Sequence, residues 1–406
     1  MQEKVLWLPL LLVALVLALF YLIFTLFPGK IDPLALNYFS RSEIIAGRNY
    51  HKINQLIVIA SLTLEITVLF WLVTGSRAGQ LERWSVDFSG GNRLLAVGVF
   101  FLSLWLLLRL VNLPFSLYSG YYLQHQWGFS TQTLGAWWLD YLKGGLLELI
   151  LSGTGVLLLF WATGRWPNFW WLVAGAFTAV WILIQGYLWP VLIAPHFNNF
   201  EPVKDPQVIQ MVERLAARAD LRIDSILVMD ASRRTTMANA YFTGLGSTKR
   251  IVLYDTLLNN YPLDEVEAVI AHEMAHWKKG HVLKGNIAAM AGSLVTFFLL
   301  YLVLRYTLPL PLKGIYPPRA WLVILLFTTL LSLVTSPLQA GLSRSMEREA
   351  DQVSVEITQN PSAAVRLQVD LAKKNLADVS PAPFVEWFSY SHPSTLKRIK
   401  LLQAAE

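Results

Sequence analysis

The sequence predicts a mainly α, polytopic membrane protein, in which seven transmembrane helices carry a small α+β domain outside the bilayer. Three observations lead there. Of the 406 residues 55% are hydrophobic and only 15% charged, with a mean hydropathy of +0.46, which is not the balance of a water-soluble chain. Seven runs reach the roughly 20 apolar residues that a helix needs to cross hydrocarbon. Two stretches, 194–282 and 341–406, break the apolar pattern and hold more than half of the 33 Lys and Arg.

In chain order, the first five spans are expected at 5–27, 53–74, 94–113, 142–164 and 169–193, so residues 1–193 form transmembrane helices joined by short loops. The first run is too long for the apolar core of a signal peptide, and no small-x-small cleavage site follows Phe27; it is expected to remain as an anchor. Residues 194–282 come next. PQVIQMVERLAARA at 206–219 has helical periodicity, SILVMD at 225–230 and KRIVLYD at 249–255 read as strands, and a further helix starts near Leu263 with Asp264 and Glu265 in its first turn. Residues 283–340 supply the last two spans, at 285–307 and 320–340, and the tail 341–406 opens and closes with helical segments. An even number of crossings separates the polar stretches. They therefore emerge on one face and can build one domain.

The absence of cysteine excludes disulfide frameworks, zinc ribbons, iron–sulfur sites and a thiol nucleophile, and it leaves His, Asp and Glu as the available metal ligands. A net charge of +6 fits cytoplasmic Lys and Arg on a membrane protein as well as it fits nucleic acid, and no nucleic-acid partner is expected. The positive-inside tendency places both polar stretches in the cytoplasm. The loop at 28–52 then lies inside with Lys30, Arg41, Arg48 and Lys52, whereas the loop at 114–141, also inside, has no Lys or Arg.

Residues 263–280 read LDEVEAVIAHEMAHWKKG. His272 and His276 are one turn apart on a helix, about 40° around its axis, so both imidazoles can reach one ion. With Glu273 between them this is H-E-x-x-H, in which the Glu serves as general base beside a zinc-activated water. The competing reading is an amphipathic helix with incidental polar residues. A catalytic zinc needs a third protein ligand. The extended metzincin pattern would require Gly at 279 and His at 282, where the chain has Lys279 and Val282. His281 falls half a turn out of phase on a continuous helix and is expected to be a neighbour, not a ligand. The gluzincin arrangement instead takes Glu from a second helix with an acidic residue four further on, and SRSMEREAD offers Glu347 and Asp351. Glu347 can bind the metal while Asp351 accepts the N–H of a ligand His; Glu349 points about 200° away from Glu347. A salt bridge from Glu347 to Arg344 or Arg348 is the alternative.

These motifs do not stand alone. HEMAHW, Glu347 and Asp351 after Ser343-Arg344, Asn239-Ala240-Tyr241-Phe242 followed by KRIVLYDTLL, QWGFSTQT at 126–133, IAPHFNNFEPV, and a Ser-His-Pro with His392 six residues before Arg398 together span the chain from about residue 114 onward. In them the chain resembles the type I CAAX prenyl endopeptidases, integral-membrane zinc metalloproteases of gluzincin type with seven transmembrane helices. The resemblance implies one Zn2+ per chain on His272, His276 and Glu347, Glu273 as catalytic base, His392 as hydrogen-bond donor to an oxyanion, and Arg398 as a carboxylate-binding or site-orienting group. Without it, His392 reads as a residue at a helix start and Arg398 as a solvated charge. Residues 239–242 are expected to form an exposed strand edge that binds extended substrate through its backbone, with Asn239, Ala240 and Tyr241 as the substrate-binding residues, against the alternative of a buried strand.

The implied reaction releases the C-terminal tripeptide of prenylated Cys-a-a-X substrates, with a lipidated or apolar peptide and the lipid bilayer as partners. Trp127 stands where the family usually has His, the connection between the last two spans is short, and the chain ends QAAE without a retention signal. A prokaryotic member in a plasma membrane, with its protease domain cytoplasmic, is expected. Two rival functions remain at this stage. One is the quality-control protease resembled by bacterial heat-shock metalloproteases, which commonly have about four spans. The other is a non-catalytic channel or scaffold, favoured by Glu65, Arg109 and Glu148 inside spans, where ionisable groups usually face a cavity or a partner.

Overall fold

A computed structural model describes residues 8–243, 250–308 and 314–404. The start of the first expected span at 5–7, Lys249 of the expected strand, part of the connection between the last two spans and residues 405–406 lie outside the described residues. The chain runs through α1 (Leu8–Leu26), α2 (Arg41–Thr74), α3 (Arg77–Phe88), α4 (Arg93–Leu117), a π-helical turn at Tyr118–Tyr122, α5 (Leu123–Gln126), α6 (Leu134–Arg165) and α7 (Trp170–Leu188). The domain outside the bilayer begins with β1 (Phe200–Pro202), α8 (Pro206–Ala219), β2 (Ser225–Met229), β3 (Ala240–Thr243), β4 (Arg250–Tyr254), α9 (Asp255–Asn260) and α10 (Leu263–Lys278). Two more long helices, α11 (His281–Thr307) and α12 (Ala320–Thr358), precede α13 (Pro361–Lys374), α14 (Pro383–Ser389) and α15 (Thr395–Gln403).

Among the described residues seven helical segments are long and apolar enough to cross a membrane; five expected spans fall within one, and those at 5–27 and 169–193 overlap Leu8–Leu26 and Trp170–His196 but extend slightly beyond them. Elsewhere the helices overrun the apolar runs. The second segment starts at Arg41 because Ser40 makes a capping box: its hydroxyl accepts the Glu43 N–H, and the Glu43 carboxylate accepts the Ser40 N–H at 2.7 Å. The last one, α12, continues without a break through residue 340, where the sequence had indicated a division; its 39 residues reach about 58 Å. One continuous helix, with Pro337 inside it, thus joins the bilayer to the polar domain.

Loops on one side of the bundle are fastened to that domain. Arg48 of α2 donates to the Ser380 carbonyl at 2.8 Å, and Gly47 lies so close to the Ala377 carbonyl that a Cβ would collide with it. From the loop before α6, Thr131 Oγ1 donates to the Ser232 carbonyl at 2.8 Å, and from the first turns of α6 Asp140 pairs with Arg234 at 2.9 Å. The loops at 28–52 and 114–141 therefore share the face of the polar domain, as counting crossings requires. Inside the spans, Arg109 Nη1 is 3.2 Å from Glu148 Oε2, and Asn112 donates to Glu65 at 3.1 Å, so Glu65, Arg109 and Glu148 each have a partner on a neighbouring helix.

The described strands form one sheet in the order β1-β2-β4-β3. β2 and β4 run parallel, with Ile226 opposite Ile251 and Val228 opposite Leu253, while β1 and β3 add antiparallel edges. Helices α8, α10, α12 and α13 close over it in a core that includes Met211, Leu215, Ile251, Leu253, Ile270, Met274, Val353 and Leu367. β1, three residues long, is too short to produce an alternating pattern and was not anticipated from the sequence.

Candidate metal centre

Helix α10 buries Val266, Ile270 and Met274 in the core, and the small Ala268, Ala271 and Ala275 between them let neighbouring elements approach closely. Its opposite face holds His272 and His276. Helix α12 brings Glu347 and Asp351, one turn apart and both buried, up to that face. His272 Nε2 lies 3.2 Å from His276 Nε2 and 3.2 Å from Glu347 Oε2, and His276 Nε2 lies 3.4 Å from Glu347 Oε1. Ligands bound tetrahedrally at about 2.1 Å from one zinc sit about 3.4 Å from each other, so these separations suit a single ion. The chemistry fits as well: two imidazole nitrogens turned toward each other and toward a carboxylate repel unless a cation or proton lies between them. Among the described residues this is the one group of three or more His, Asp or Glu with atoms close enough to hold a metal.

Behind the donors stands a row of positioning contacts. His272 Nδ1 is 3.0 Å from Asp351 Oδ1, and Asp351 accepts a two-pronged bond from Arg398, Nε at 2.8 Å and Nη2 at 2.6 Å. Burial alone would lower the His272 pKa, but its bonds to Asp351 and Glu347 outweigh that and push it up to about 9 in the metal-free protein. Arg398 is accordingly not a solvated charge. Arg344, the alternative partner for Glu347, instead donates to the Glu386 and Tyr390 carbonyls at 2.8 and 2.7 Å, fixing α14 and the segment that follows it.

That segment carries His392, whose Nε2 is 3.4 Å from Glu347 Oε1 and whose Nδ1 is 2.9 Å from the Ser391 hydroxyl. Its side chain remains 56% exposed, so its ring can meet something entering the site. Glu273 faces the same space. Burial raises its carboxyl above the usual range, partly offset by His272 and His276, and the Phe242 N–H bonds to it.

β3 pairs only with β4 among the described residues. The Asn239 carbonyl accepts from the Tyr254 N–H at 3.0 Å, so the alternation of an antiparallel ladder turns the backbone of Ala240 and Phe242 toward the open edge, and that of Tyr241 toward β4. The Asn239 side chain accepts the Ala240 N–H at 2.9 Å. Phe242 lies within the edge expected at 239–242; which of those residues turn their backbone outward becomes readable only once the pairing is known. A cavity of about 520 Å³ runs from Asn239 past Glu273, His392 and Arg398 to Leu367, Leu371 and Asn375 on and after α13. No motif marked that far end.

Residues 202–406 match peptidase family M48, and residues 37–199 match the CAAX prenyl protease N-terminal region of five membrane helices. The chain belongs to peptidase family M48. This M48 metalloprotease is 30% identical over 375 residues to the uncharacterized metalloprotease YhfN of Bacillus subtilis, covering 91% of this chain and 88% of that one. It is 32% identical over 313 residues to CAAX prenyl protease 1 of Saccharomyces cerevisiae, covering 72% and 69%. The crystal structure of S. mikatae Ste24p superposes with a TM-score of 0.86 at 25% identity, over 97% of this chain and 98% of that one. The M48 chain is thus a multi-pass membrane protein and a peptide hydrolase, and the channel or scaffold reading is set aside.

Proposed function

We propose that this M48 enzyme is a zinc endopeptidase that cuts the bond after the prenylated cysteine of a C-terminal Cys-a-a-X segment and releases the last three residues. The observation that carries the proposal is the continuity of α12, which begins among the membrane spans and ends by presenting Glu347 to His272 and His276. Such a site serves substrates that arrive at a bilayer with lipid or apolar sequence attached. His272, His276 and Glu347 would hold zinc, which when bound supplies a Lewis acid and an acidified water. Glu273 takes the proton of the attacking water and hands it to the leaving amine, a role favoured by a carboxyl whose affinity for protons burial has raised. His392 Nε2 donates to the oxyanion that develops on the scissile carbonyl. The outward carbonyls of Ala240 and Phe242 align an extended peptide, the two N–H groups being taken by the Asn239 side chain and by Glu273, with Tyr241 turned to β4. Arg398, engaged by Asp351, positions His272 and is less suited than the sequence implied to hold a substrate carboxylate.

The enzyme is assigned to a prokaryotic plasma membrane with its protease domain cytoplasmic, in keeping with Lys30 before α2 and Arg41, Arg48 and Lys52 in its first turns on the face of that domain. Purified enzyme should cleave a farnesylated CAAX peptide at the bond after cysteine, with Glu273→Gln inactive. If unlipidated membrane-protein segments were cut readily and the farnesylated peptide stayed intact, the quality-control reading would replace this one.

A further inference from the structure

We propose that His281 and Glu349 are positioning residues for His276, so that the two metal-binding imidazoles are aimed by different chemistry: His272 by a carboxylate backed by arginine, His276 by a second imidazole. The inference rests on the reading of His272, His276 and Glu347 as metal ligands.

His276 turns Nε2 toward His272 and Glu347, and an imidazole nitrogen that binds a cation carries no proton. The proton of neutral His276 is then on Nδ1. His281 Nδ1 lies 2.9 Å from it, and two ring nitrogens at that distance share one hydrogen, so His276 donates and His281 accepts. Neutral His281 consequently keeps its own proton on Nε2, which donates to Glu349 Oε2 at 3.1 Å. Glu349 is held in turn by Lys279 Nζ at 3.3 Å and Lys284 Nζ at 3.6 Å. Each hydrogen in the row has one place, and each assignment follows from the one before it. His281 is only 4% exposed, so both of its nitrogens must find partners within the protein, and both do.

The backbone explains why the spacing concealed this. A continuous helix would carry His281 half a turn away from His276, but Gly280, at φ +65°, ends α10 and starts α11 in a new direction with His281 as its first residue. Glu349 reaches the row from α12, on the side of that helix away from Glu347. The last two membrane-crossing helices therefore each contribute one residue to the support of His276.

The test uses the full-length protein, with zinc affinity measured by competition against a chromophoric chelator and the visible absorption of the Co2+-loaded form as a second readout. His281→Ala should weaken zinc binding about ten- to a hundredfold and shift the Co2+ bands, while the metal-free melting temperature stays near that of the wild type. His281→Asn should recover most of the affinity, because the Asn carbonyl sits close to the place of His Nδ1 and accepts the same proton. Glu349→Ala should fall between, at about tenfold or less. Wild-type affinity and an unshifted Co2+ spectrum in His281→Ala would overturn the proposal, as would His281→Asn binding no better than His281→Ala. Wild-type protein that took up no metal would overturn the metal reading itself, and that outcome shows before any substitution is made.

Discussion

Glu347 and Asp351 are the same kind of acid one turn apart on one helix, and what stands opposite each of them divides their work. Glu347 meets two imidazole nitrogens and a third from His392, whereas Asp351 meets the outer nitrogen of His272 and the fork of Arg398. Substitution should separate them. Glu347→Ala or His272→Ala removes a metal ligand and should abolish stable zinc binding, while Asp351→Ala, which leaves the ligands in place, should weaken it about ten- to a hundredfold in chelator competition. Glu273→Gln should retain metal and lose about a hundred- to ten-thousandfold in turnover, read from peptide cleavage at saturating substrate. At this scale the H-E-x-x-H spacing and the Glu-x-x-x-Asp spacing revealed the donors, because helical geometry fixes i and i+4 on one face. The Arg398 contact was not legible: 47 residues separate it from Asp351, and spacing says nothing about a fork that arrives from another helix.

Among the elements, β3 and the start of α2 show how short or distant contacts escape sequence reading. β3 has four residues, and its use depends on which backbone groups β4 leaves outward. Trp277, directly after His276, packs its ring on Phe242 with centroids 5.2 Å apart, so the strand rests directly on the metal helix. Trp277→Ala should raise KM more than it lowers kcat, by loosening the strand edge while the donors stay in place; equal zinc content in both proteins is the control. At α2, Gly47 has no space for a methyl group against the Ala377 carbonyl. Gly47→Ala should lower stability by about 1–3 kcal/mol, seen as a drop in the thermal midpoint in detergent, although Ala is the better helix former. The capping box at Ser40 and Glu43 was readable in principle from the S-x-x-E pattern, but the apolar run starting at 53 drew the boundary too late.

Across the whole molecule, apolar runs of sufficient length anticipated the seven helices that, among the described residues, are long and apolar enough to cross, since the bilayer sets their length and composition independently of partners. Sequence could not show that the last crossing and the ligand helix are one continuous helix, because a change in polarity near residue 340 looks like the end of an element when it is only the exit from lipid. Glu65, Arg109 and Glu148 are paired between α2, α4 and α6, and we expect these pairs to face water enclosed by the helices. On this naturally cysteine-free chain, single cysteines at 65 or 148 should react with a small water-soluble maleimide; inaccessibility at both would refute the enclosed water. The account as a whole depends on one metal held jointly by a helix of the polar domain and a helix that crosses the membrane. The most direct measurement is zinc content per purified chain across three proteins. About one zinc is expected in the wild type and in Glu273→Gln, and far less in Glu347→Ala. A full complement of zinc in Glu347→Ala would contradict it.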